Sequence, residues 1–136
     1  GETISATNPG AIPVSVVAVE QSKLLFLDFK KIITVCSSAC VFHTQLIRNM
    51  LEILANKNVM LMQKIEHISH RTTREKLLSY LSARAIEAKS RSFSIPLNRQ
   101  ELADYLCVDR SAMSSELCKL RDENRLAFHK NQFELF

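Results

Sequence analysis

Leu97-Asn98-Arg99-Gln100-Glu101-Leu102-Ala103-Asp104-Tyr105-Leu106-Cys107-Val108-Asp109-Arg110-Ser111-Ala112-Met113-Ser114-Ser115-Glu116-Leu117 is the stretch that decides the fold. Asn98 and Glu101 have the spacing of a capping box, in which the Asn side chain accepts from the third helical amide and the Glu reaches back to the cap. A helix of about two turns follows, with Leu102, Ala103 and Leu106 on its inner face. Cys107-Val108 makes a tight turn. Asp109 then caps a longer helix from Arg110 to about Arg121, with Met113, Leu117 and Leu120 inward. Two short crossed helices joined by three or four residues form a helix-turn-helix, the geometry that puts a second helix into the major groove of duplex DNA.

Outward from this stretch, Leu126-Ala127-Phe128-His129, Lys130-Asn131 and Gln132-Phe133-Glu134-Leu135-Phe136 read as strand, turn and strand, which supplies a wing. On the other side, Ser92 to Leu97 alternates polar and apolar like a short strand ended by Pro96. Thr72-Thr73-Arg74-Glu75 is a further capping box that starts a helix through Leu77, Leu78, Leu81 and Ala85 to about Lys89. From about Ser38 to His70 there is neither Gly nor Pro, and this is the strongest helix signal in the chain. Its residues Ile47, Leu51, Leu54, Asn58, Leu61, Ile65 and Ile68 step by alternating four and three, a heptad seam with one Asn. Leu46, Met50, Ile53 and Met62 give a second apolar face. One face suits packing within the chain and the other a parallel homodimeric coiled coil, although both could belong to an intrachain core. Pro13 to Phe29 reads as two Val- and Leu-rich strands broken at Glu20-Gln21-Ser22-Lys23, followed by a short helix around Asp28 to Val35.

The expected fold class is therefore mainly α with a small β part. The expected divisions are 1–37, a β-rich start; 38–71, the dimerisation helix; and 72–136, the winged helix-turn-helix. At 136 residues and 46% hydrophobic, the chain has material for one ordinary core or two small ones. The net charge of +4 suits a polyanionic partner without identifying one. Residues 90 to 136 carry seven Lys or Arg and seven Asp or Glu, so DNA binding there requires the basic groups to be sorted onto one face. Four cysteines without a secretory signal or a membrane-length apolar run point to reduced thiols in a cytoplasm and to no membrane. The start, Gly1-Glu2-Thr3, reads as the middle of a domain, so a truncated or proteolysed product is expected.

The stretch quoted first, together with the order of parts, resembles the cyclic-AMP receptor protein and FNR superfamily of bacterial transcription regulators. The resemblance spans nearly the whole chain but lacks the first half of the sensor domain, so residues 1–37 correspond to a remnant of the effector-sensing β-roll. It implies a homodimer that binds palindromic double-stranded DNA and works with RNA polymerase. It also implies that Arg99 and Gln100 reach phosphates, that Arg110 and positions 111 and 115 reach base edges, and that His129 and Lys130 in the wing turn touch the backbone. Ser111 and Ser115 stand where the cyclic-AMP receptor protein has charged readers. With Ser114 they leave a helix thin enough to enter a groove, or serve only to keep it soluble. Guanidinium pairs bidentately with guanine whereas Ser discriminates little, so DNA binding carries over and the target sequence does not. Cys107 replaces the Gly of many members, which costs roughly 1 kcal/mol if the turn needs positive φ.

In this family a Gly-Glu pair and, about ten residues later, an Arg-Ser or Arg-Thr pair cradle the cyclic phosphate. Gly1-Glu2 resembles the first pair, but Pro13-Val14 falls at the second and cannot neutralise a phosphate. The polar residues that touch adenine are replaced by Leu61-Met62. The expected effector is not cyclic AMP, and no cofactor is expected. Cys36-Ser-Ser-Ala-Cys40-Val-Phe-His43 has the i, i+4, i+7 spacing that on a continuous helix would hold a metal or form a redox pair. Cys36 and Cys40, with the Phe before His43, equally suit the packed joint that buried cysteines usually fill, and a turn between Val35 and Ala39 would break the spacing. There is no phosphate loop, activated nucleophile or paired carboxylate, which argues against an enzyme. A winged helix that binds a partner protein remains an alternative.

Overall fold

The computed structural model describes residues 15, 17–28, 31, 32, 34 and 41–136. The chain divides into two compact units, 1–58 and 59–136.

In the first unit, the described residues 15 and 17–28 form no strand, which corrects the pair of strands expected from Pro13 to Phe29. The foreseen break is there, as a bend in which Ser22 Oγ donates to the Glu20 carbonyl at 2.8 Å. On either side the apolar residues stand in solvent, Val19 at 98% exposure and Phe26 at 88%. β-propensity measures fit to a half-buried pleated face, and a lone hairpin is marginal in water without a third strand or a helix to pack on. The described residues of this run meet no such face. Asp28 does start a helical turn as expected, its Oδ1 accepting from the Lys31 amide at 3.4 Å and its carbonyl from the Ile32 amide at 3.1 Å.

Helix α1 spans Val41–Ser69, 29 residues, and the absence of Gly and Pro lets it run unbroken through the expected interval. Along its heptad seam Leu51, Leu61 and Ile65 are about 60% exposed, Leu54 is 38% exposed, and Ile47 and Ile68 are half-buried. Three branched aliphatic side chains at that exposure are far from the usual fate of such residues, which lose roughly 1.5–3 kcal/mol each by staying in water.

The second unit contains the remaining regular elements. Helix α2, Thr73–Ala88, begins at the Thr72 capping box with Glu75 and ends at Lys89 in the left-handed conformation. Strand β1 is Ser92–Ser94, shorter than the alternation suggested. Helix α3, Arg99–Leu106, opens on the Asn98 box with Glu101. Helix α4, Arg110–Asp122, is capped by Asp109, whose carboxylate accepts from the Ala112 amide at 2.8 Å. Strands β2, Leu126–His129, and β3, Gln132–Leu135, form the wing hairpin. The hairpin is joined by β1 in an antiparallel sheet of order β1-β3-β2, with Phe93 opposite Phe133 and Phe133 opposite Phe128.

The core of this unit is the one the helical periodicity marked. Leu77, Leu81, Leu102, Ala103, Leu106, Met113 and Leu120 have no exposed surface, and Leu117 has 1%. Leu78 and Ala85 pack on its edge. The mainly helical fold with a small sheet, a long helix and a winged helix-turn-helix is thus the architecture observed.

No local pattern in the sequence marks His67. In the last turn of α1 it is 2% exposed, and Ser79 Oγ and its Nδ1 share a hydrogen bond of 2.8 Å. Its ring meets Tyr80 edge-on at 5.6 Å and lies 6.3 Å from Tyr105, over which Lys64 is placed at 5.3 Å. Nε2 is buried with no partner. Burial pushes the pKa of His67 below 6.5, with Glu66 opposing and Arg84 and His70 reinforcing the shift. A base whose folded pKa is depressed favours folding above its unfolded value and loses that contribution as pH falls. Unfolding free energy should therefore decline as pH drops below about 6.5, until the lowered folded value is passed. Urea titrations between pH 8 and 5 of the native protein and His67→Gln, which cannot titrate, should diverge in that window. Parallel curves would show that another group carries the dependence.

Candidate nucleic-acid interface

The helix N-termini of α3 and α4 and the wing turn converge on one open groove of about 950 Å³. It is lined by Asn98, Arg99 and Gln100 at the start of α3, Arg110 at the start of α4, His129 to Gln132 in the wing, and Ser94. Five of the residues expected to meet DNA are therefore brought together: Arg99, Gln100, Arg110, His129 and Lys130. None of the lining residues is acidic. The equal numbers of acids and bases in this part of the chain are thus sorted in space. Three of the seven acids are taken up in ion pairs, Glu123 with Arg74, Glu116 with Lys119 and Asp122 with Arg121. Glu101 and Asp109 serve as helix caps, while Asp104 accepts from Gln100 of the groove. Two helix N-termini add their partial positive charge to the groove.

The individual side chains are not equally free. Arg110 is exposed and its guanidinium pairs with no group among the described residues, so its five donors are available. Gln100 is exposed but donates through Nε2 to Asp104 Oδ1 at 2.9 Å, an i,i+4 contact. Asp109 is held below the usual carboxylate range by the Ser111 hydroxyl, which donates to it at 2.5 Å, and then by the Ala112 amide. Ser111 thus strengthens the cap from the exposed start of the helix. Ser114 is half-buried and donates back to the Arg110 carbonyl at 2.9 Å, which leaves its hydroxyl with accepting capacity only. Ser115 is exposed and lines a different hollow of about 500 Å³, with Thr72, Thr73, Arg74, Ala112, Glu116 and Lys119.

Arg99 differs most from expectation. Its Nη2 donates to the Lys130 carbonyl at 2.8 Å, and its guanidinium lies 5.0 Å from the ring centres of both Phe128 and Phe133. Burial depresses its pKa, and Nη1 is covered without a partner. The sequence places an Arg at the right position for a phosphate but does not show where its side chain turns. Two Phe residues in the wing strands were the available sign.

Of the possible metal or redox group, Cys36 and Cys40 lie outside the described residues. His43 Nε2 donates to the Ile32 carbonyl. Among the described residues no cluster of three or more His, Cys, Asp or Glu forms, and no helix is long and apolar enough to cross a membrane. Gly1, Glu2, Pro13 and Val14 also lie outside the described residues.

No family model and no curated protein matches the chain. Among solved structures it is similar to FixK2 from Bradyrhizobium japonicum, with a TM-score of 0.57 and 20% identity over 68% of this chain. The match covers 48% of FixK2, so the chain spans about half the length of that protein. At this identity the likeness is one of fold.

Proposed function

We propose that this chain is the dimerising and DNA-binding part of a transcription regulator of the Crp/Fnr type, acting as a homodimer on a palindromic site and having no enzymatic role. The observation that carries this reading is the acid-free groove, in which Arg110, His129 and Lys130 from two elements flank the start of the second helix. The fold shared with FixK2 and the motif from Leu97 to Leu117 support the same reading. Residues 38–71 would form the dimerisation helix and 72–136 the DNA-binding domain, after a sensor remnant at 1–37. In this reading Gln100, His129 and Lys130 meet the phosphate backbone, Arg110 with Ser111, Ser114 and Ser115 faces the bases, RNA polymerase is a partner, and the protein works in the cytoplasm. Pro13 and Val14, in place of phosphate-binding groups, favour an effector other than cyclic AMP.

Titration of a nonspecific duplex at several salt concentrations tests the reading. Neutralising phosphates releases counterions, so the logarithm of the affinity should fall linearly with that of salt, by roughly 0.9 for each phosphate contacted. Binding that is absent, or that ignores salt, would assign the winged helix to a protein partner instead.

A further inference from the structure

We infer that Arg99 is a positioning residue that pins the wing against the first helix of the helix-turn-helix, and that it does not itself bind phosphate. The inference rests on the DNA-binding reading for its consequence, and on the geometry of the free protein for its substance.

Arg99 is the first residue of α3, whose start is fixed by the reciprocal bonds between Asn98 and Glu101. From that anchored position the guanidinium crosses to the hairpin and lies against both strands at once, through Phe128 of β2 and Phe133 of β3. It then reaches the turn itself, where Lys130 has φ 52 and presents its carbonyl to Nη2. The other residue of this two-residue turn is held by the Ile95 amide, which donates to the Asn131 carbonyl at 2.9 Å. The turn is therefore clamped at both of its carbonyls, one to the α3 side and one to the chain after β1. His129 and Lys130, the wing's basic members of the groove, project from this clamped segment.

A phosphate ligand would need its guanidinium free. Here Nη1 has no exposed surface, and reaching a phosphate would break the Lys130 bond and both aromatic contacts. The requirement is specific to a planar cation. Lysine keeps the charge and the reach to phosphate but can neither stack on two rings nor direct a second donor in the same plane.

That difference provides the test. In the free protein, Arg99→Lys should raise amide exchange at Ile95 by at least about tenfold, through loss of a charge-assisted contact, while Leu102 in α3 stays protected. On nonspecific duplex, Arg99→Lys and Lys130→Ala should each lower affinity several-fold and reduce the salt slope by about one phosphate contact. The double variant should lose no more than either alone, because both remove the same wing contact. Wild-type affinity for Arg99→Lys, or additive losses in the double variant, would overturn the inference and return Arg99 to the phosphates. If the native protein binds no DNA, the functional reading fails, and exchange at Ile95 still decides whether Arg99 is the pin. Unchanged exchange there overturns it.

Discussion

Replacing Leu54 and Leu61 by lysine should leave the protein monomeric and remove its tight binding to a palindromic site. The two residues are one heptad apart on α1, at 38% and 59% exposure in the single chain. Burying such leucines in a knobs-into-holes seam stabilises each by roughly 1.5–3 kcal/mol, and in a two-fold dimer each substitution counts twice. Lysine both forfeits that burial and sets like charges across the axis. Asn58, between them in the seam, would fix the register at some cost in stability. The loss on DNA follows from linkage: a second half-site bound intramolecularly strengthens binding by about 10²–10⁴ over one module. Sedimentation at micromolar protein should show the change from dimer to monomer, with helix content retained. A dimer that persists in the double variant would mean that the seam lies within the chain's own core.

Arg110→Ala should weaken specific DNA by about 1–3 kcal/mol per half-site and random DNA much less. The argument is one of availability. Among the long basic side chains of the groove, Arg99 is committed to the wing, whereas Arg110 stands exposed at the first turn of α4 with no internal partner. A guanidinium there can bond bidentately to the O6 and N7 edge of guanine, and that bond distinguishes one base from another. A dimer presents two such helices, so half-sites about one helical turn, or 10 base pairs, apart should be preferred. Competition binding against random and palindromic duplexes separates the cases. Equal losses on both would make Arg110 a backbone clamp and leave specificity to Ser111, Ser115 or the shape of the DNA.

What could be read in advance divides by range of interaction. Asn98, Glu101 and Asp109 act within four residues of themselves, and the inward faces of α3 and α4 repeat with the helical period, so local chemistry determined both helices and their core positions. The long α1 was legible for the same reason. The expected strands between Pro13 and Phe29 failed on the other count, because Val and Leu supply propensity and only another surface supplies a sheet. β1 illustrates the same point in reverse, since its three residues are ordered by pairing with β3 some forty positions later. At the site, sequence identified the basic residues but not their freedom. Arg99 is diverted by two phenylalanines far along the chain, Ser114 by its own helix, and His67 is buried by Ser79, Tyr80 and Tyr105 from elements that no local pattern associates with it.

The turn at Cys107 carries one more consequence. Its φ is 52 and ψ 53, a left-handed conformation that three other residues with side chains, Lys89, Asn124 and Lys130, also approach among the described residues. From residue 11 to the end the chain contains no glycine. Left-handed backbone costs a residue with a side chain roughly 1–2 kcal/mol. A glycine, however, would enlarge the repertoire of the denatured chain and so give back about 0.4–1 kcal/mol of the gain. At Cys107 the second offsets only about half of the first. A side chain in this turn is therefore kept at a net loss of roughly 1 kcal/mol, which the narrower ensemble to be ordered on folding reduces but does not remove.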